Sequence, residues 1–409
     1  MKTRTISAIT GTVKSLEHES LFESISSSNE DDEDWDCDSF ICNCDTESCE
    51  CDLRSEKSTL PEIEEIDQEF LNRLPEHYRE SYIKNKKSLH EMKHTNTLEY
   101  MKYKQYIDLF ERIPFGKYSE MPFQKLTEHS EKCEFLDKTR KNLDDKIYGH
   151  LSTKKELVKL IAKWMATNRD SGCVIGLHGS PGIGKTHLLK EVFGPILERP
   201  VYYTSLAGIS DGGFLDGYDY CYEGSSCGRI IDAVIRSNCM NPVIFFDELD
   251  KVSKTKIGSE IIGKLINITD PMQNSELMDK YFKGINFDLS KAIFVFSFND
   301  TSRIDPILLN RIKVINVPNY DYSDKVAIMD KFLLPSICYE YAIDPSNIQF
   351  SQEAIKMIIG QSEDPGVRYI RRVLETVIGN LNVMRYYSKC KIDFTKTIKI
   401  NEETLLKLL

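Results

Sequence analysis

Eight residues restrict this chain more than any other feature. Gly179-Ser180-Pro181-Gly182-Ile183-Gly184-Lys185-Thr186 satisfies G-x-x-x-x-G-K-[ST] at every fixed position. The run before it, Cys173-Val174-Ile175-Gly176-Leu177, reads as a buried strand, and His187 to Phe193 after it reads as a helix. A strand, a glycine-rich turn and a helix start together form a phosphate cradle. The glycines let successive backbone N–H groups turn toward a polyphosphate, and the helix N-terminus adds partial positive charge. Lys185 then reaches the β- and γ-phosphates of ATP, and Thr186 offers its hydroxyl to Mg²⁺.

A second signal lies downstream. Val243-Ile244-Phe245-Phe246 is wholly apolar and ends in Asp247-Glu248. A carboxylate beside a buried run is costly unless it meets a cation, and an Mg²⁺ site next to the cradle supplies one. Asp247 is expected to hold the metal shell and Glu248 to polarise the attacking water, which makes the chain an expected ATP hydrolase. Asn299 follows the next apolar run, Ala292 to Phe298, where an amide can orient that water. Arg311, in Leu308-Leu309-Asn310-Arg311, stands where an arginine can reach the nucleotide of a neighbouring subunit.

Short apolar runs alternate with helical periods from about residue 143 to 320, the pattern of a mostly parallel sheet covered by helices in an α/β domain. Residues 321–409 are helical by period and are expected to form a smaller domain. Residues 61–142 read as a helical arm, broken at Pro75, followed by a linker. Residues 1–60 read as a disordered acidic tail. The net charge of −11 sits there, since residues 15–53 carry fourteen Asp/Glu and no Lys or Arg. The remaining chain is close to neutral, so charge alone decides nothing about a nucleic-acid partner. Five of the twelve cysteines crowd the tail as Cys37, Cys42, Cys44, Cys49 and Cys51. Their spacing lacks the paired C-x2-C of ordinary zinc folds, and disulfides are not expected without an export signal. No run approaches a membrane span, so a cytoplasmic or nuclear rather than secreted protein without a membrane partner is expected.

Several separate motifs share one order and similar gaps with a known family. Gly179 to Thr186, Asp247-Glu248-Leu249-Asp250-Lys251, Asp270-Pro271-Met272-Gln273-Asn274 and Gly366-Val367-Arg368 resemble the AAA+ ATPase module of Lon proteases. So do Ile113 to Ser119, Tyr148-Gly149 and Pro318-Asn319-Tyr320. The resemblance covers roughly residues 110–409. It implies a five-stranded parallel AAA+ sheet, a C-terminal helical lid and a ring homo-oligomer of six subunits. It also implies Asn299 as sensor 1, Arg311 as arginine finger, Arg368 as sensor 2, and Ile147 and Tyr148 in the adenine pocket. The departures are equally informative. The segment Ile398 to Glu403 resembles the end of the lid, so no Ser/Lys protease domain is expected after it. The pore segment Gly217 to Gly228 carries Tyr222-Glu223, where the family pairs an aromatic with an apolar residue. The expected function is an ATPase that remodels or unfolds a protein substrate without cutting it. Two alternatives stay open, a nucleic-acid-associated ATPase, for which only Lys138-Thr139-Arg140-Lys141 speaks, and a nucleotide-gated scaffold.

Overall fold

Strands that are buried on both faces must be apolar at every position, and here the alternation of side chains divides one sheet between two cores. In the computed structural model, five parallel strands form a sheet. They are β1 (Cys173–His178), β2 (Val201–Ser205), β3 (Val243–Asp247), β4 (Ile293–Phe298) and β5 (Lys313–Asn316), in spatial order β2-β3-β4-β1-β5. Ile244, Phe246, Phe294, Phe296 and Phe298 point into one hydrophobic cluster. Val243, Phe245, Ile293, Val295, Ile175 and Leu177 point into another. Burying each such phenylalanine stabilises the fold by about 2–3 kcal/mol, so the two central strands anchor the domain. The structure describes residues 66–93, 97–167, 172–209, 211–222, 224–362, 364–387, 394 and 396–409. The expectations for the acidic tail and for Glu223 fall outside these residues.

The first cluster also takes in the N-terminal arm. Helices Gln68–Arg73, Glu76–Met92 and Thr97–Glu111 bring Phe70, Tyr82, Ile107 and Phe110 into it. Phe70 lies edge-on to Tyr82 at 5.2 Å and to Phe110 at 5.5 Å, and Phe115 stacks on Phe287 at 6.0 Å. Pro75 separates the first two helices, as its missing N–H and fixed φ dictate. The stretch read as a linker holds a helix, His129–Lys146, whose Leu143, Phe135 and Leu136 pack into the second cluster. Its apolar positions are few among many charges, and this hides the helical period.

The segment after the glycine turn is helical, but only Lys185–His187 and Gly194–Leu197 are α-helical; Leu188–Phe193 between them is a π-helix. Beyond β5, helices Tyr322–Ile328, Leu334–Glu340, Gln352–Gly360 and Arg368–Tyr386 enclose a third cluster around Ile337, Ile358, Leu374 and Ile378. A short parallel pair, Ile348–Phe350 with Ile398–Ile400, closes it. Among the described residues no helix is long and apolar enough to cross a membrane.

Candidate functional site

The carboxyl ends of β1, β3 and β4 converge, which is where an open parallel sheet presents its ligands. Gly179 follows β1 directly, Asp247 ends β3, and Asn299 follows β4. In the register, Phe246 pairs with Phe296, so Asp247 stands beside Ser297 on the neighbouring strand. A cavity of ≈ 570 Å³ opens there, within the usual range for a small-molecule site. Its lining combines apolar side chains, Ile147, Tyr148, Tyr320, Ile328 and Phe332, with the cations Lys146, Lys185, Arg368 and Arg371 and the acids Asp247 and Glu248. Such a mixed lining suits a ligand with a flat apolar part and a polyanionic part.

The glycine turn is built for close approach. Gly182 and Gly184 have φ of +78° and +91°, the left-handed region that costs glycine nothing. Lys185 Nζ donates to Gly179 O at 2.6 Å, Ser180 O at 2.9 Å and Asn299 Oδ1 at 2.7 Å. The lysine thus ties the loop to the end of β4. Burial holds its ammonium below the usual lysine range, with Asp247 and Asp250 pulling the other way. Thr186 lines the same cavity.

Asp247 is held by three donors. Its Oδ1 accepts from Ser297 Oγ and from the Glu248 N–H at 3.0 Å, and its Oδ2 accepts from Tyr203 Oη at 2.8 Å. The Tyr203 phenol is pushed up to about 12, first by burial and then by this bond, so it stays a donor at neutral pH. Glu248 sits at φ 60°, a left-handed conformation that costs a non-glycine residue about 1–3 kcal/mol and turns its carboxylate into the cavity. Ser205 Oγ donates to Glu248 Oε2 at 3.5 Å.

The lid completes the far wall. Val367 N–H donates to Gly182 O at 3.1 Å, and a Cβ added at Gly366 would stand 2.3 Å from Gly182 C. Only glycine allows that approach, which brings Arg368, the first residue of its helix, over the phosphate loop. Opposite, buried His150 donates from Nε2 to Ile183 O at 3.0 Å and packs on Tyr320 at 4.5 Å; burial lowers its pKa.

The structure therefore brings together Gly182, Gly184, Lys185, Thr186, Asp247, Glu248, Asn299, Arg368, Ile147 and Tyr148 at one cavity. Arg311 is apart from it. It ends helix Pro306–Arg311 and pairs with Asp270 at 2.6 Å, both partly exposed. Arg311 and the Met272 N–H hold the Asp270 carboxyl below the usual carboxylate range. Sequence reasoning missed Tyr203, Ser297, His150 and Phe332. For Ser297 a signal existed, since it is the one polar residue in the apolar run that leads into Asn299.

Comparison with known proteins agrees with this geometry. The family described as "ATPase family associated with various cellular activities (AAA)" matches residues 175–319. A Lon protease homolog of Acanthamoeba polyphaga mimivirus is 36% identical over 257 residues, 62% of this chain and 25% of the relative. The Lon protease of Helicobacter pylori is 31% identical over 291 residues, covering 70% and 34%. The mitochondrial Lon protease homolog of Saccharomyces cerevisiae is 28% identical over 309 residues, covering 75% and 25%. The chain thus spans between a quarter and about a third of the length of these relatives. With its five-stranded sheet, its lid and this cavity, the chain carries an AAA+ ATPase module similar to that of Lon proteases.

Proposed function

We propose that this protein binds and hydrolyses ATP in a ring of identical subunits and uses the cycle to remodel or unfold a polypeptide. The observation that carries the reading is the split between the two groups of catalytic candidates. Lys185, Thr186, Asp247, Glu248 and Asn299 meet at one cavity, whereas Arg311 points elsewhere and is poised on Asp270. A neighbouring copy would use it.

In this reading, backbone N–H groups of the glycine turn and Lys185 bind the β- and γ-phosphates, and Ile147 and Tyr148 receive the adenine. Thr186 and Asp247 would hold Mg²⁺, which when bound would offset charge on the phosphate oxygens. Their hard oxygen donors and the cationic lining fit that ion and a triphosphate. Glu248 takes the proton of the attacking water, Asn299 orients that water, and Arg368 senses the γ-phosphate from the lid. Lid closure then follows nucleotide state through the Gly182–Val367 contact, a route from chemistry to motion.

Tyr222, 71% exposed in the segment between Gly217 and Gly228, is the group proposed to grip the polypeptide. By sequence, Asp219 and the adjacent Glu223 make that segment acidic. The test is one sample measured two ways, with particle size determined with and without ATP and hydrolysis followed with unfolded protein or DNA added. The expected result is ATP-dependent assembly and stimulation by unfolded protein that is lost in Tyr222→Ala. Stimulation by DNA alone, weakening with salt, would contradict the polypeptide substrate.

A further inference from the structure

Tyr203 is an unusual neighbour for a carboxylate that is to receive a metal. It stands third in β2, at the sheet edge, where its register partner is Phe245 and its ring lies 5.5 Å from that of Phe245. From there its hydroxyl reaches sideways to Asp247 Oδ2 at 2.8 Å. The opposite side of the carboxylate is taken by Ser297 and the Glu248 N–H. A carboxylate has about four acceptor positions, so three donors fix its plane and leave one direction, toward the cavity. Over the tyrosine ring lies Lys190 Nζ, 4.3 Å from the centroid. Lys190 belongs to the π-helical turn that continues from Lys185 and Thr186. The ring, 40% exposed, therefore touches both the helix that carries the phosphate loop and the strand that carries the acid.

Resting on the nucleotide-binding reading above, we infer that Tyr203 is a positioning residue for Mg²⁺: its hydroxyl holds Asp247 in the orientation that completes the metal shell with Thr186. It does not touch the nucleotide, and it links the two halves of the metal site across the sheet edge. A tyrosine here also limits the ways Asp247 can turn, because rotation of the carboxylate breaks either the phenol bond or the serine bond. Hydrogen-bond partners of metal ligands typically change metal affinity by about 10- to 100-fold when removed.

The test is Tyr203→Phe in the full chain, which deletes one oxygen and keeps the ring under Lys190. A fluorescent, non-hydrolysable ATP analogue is bound first in EDTA and then under titration with magnesium chloride, so the readout is binding rather than turnover. The expected result is unchanged affinity in EDTA and a magnesium midpoint raised by about tenfold. An unchanged midpoint overturns the inference. Loss of the EDTA affinity together with the midpoint also overturns it, because the hydroxyl would then support the fold rather than the acid. A parent chain that binds no analogue in either condition refutes the nucleotide reading itself, whatever the variant does.

Discussion

Glu248→Gln is expected to bind ATP as the parent does and to lose turnover by about a thousandfold, the scale of a removed general base. The amide keeps the shape of the carboxylate, so the cavity and the positive φ at this position are unaltered. The backbone N–H of residue 248 still donates to Asp247 Oδ1, and the metal-side acid stays in place. What disappears is the ability to take a proton from water. Nucleotide binding followed by fluorescence and phosphate release followed over time separate the two effects. A variant that turns over like the parent would remove Glu248 from the reaction, and one that cannot bind would assign it to the fold.

Arg311→Ala is expected to cost about a thousandfold in turnover, the lower end of what an arginine supplied to a transferred phosphoryl contributes. The prediction goes further, because Arg311 lies outside its own chain's cavity and pairs with Asp270. An assembly of Arg311→Ala subunits lacks the finger at every site. An assembly of Lys185→Ala subunits retains every finger but binds the nucleotide about a hundredfold more weakly and lacks the lysine at the phosphates. Mixed in equal amounts, the two inactive proteins are expected to regain activity, since some Arg311→Ala sites will face a neighbour with an intact Arg311. Absence of any recovery in mixed assemblies would place Arg311 in a structural role.

The readability of this molecule from its sequence follows how each residue acts. β3 and β4 are readable because strands covered on both faces must be apolar almost throughout, and Val243 to Phe246 and, apart from Ser297, Ile293 to Phe298 are. The glycine turn and the acid pair are readable because their chemistry requires fixed residue types at fixed spacing. Tyr203 is not, since it acts from an edge strand by a bond to a residue 44 positions away, and nothing local marks it. The same holds for His150, whose role depends on meeting Ile183 and Tyr320 across the fold. The helix His129–Lys146 reads as linker because only a few apolar side chains anchor it among charges. Phe332 reaches the cavity from the π-helical turn Met329–Leu333, where an α-helical period misplaces the face.

The central claim is that the loop from Gly179 to Thr186 holds the triphosphate. Equilibrium binding of ATP with magnesium to the parent chain and to Lys185→Ala tests it most directly. Removing a buried cation from its anionic ligand costs about a hundredfold in affinity, and that loss in Lys185→Ala is the predicted result. A parent that does not bind ATP, or a variant that binds it equally well, would contradict the account.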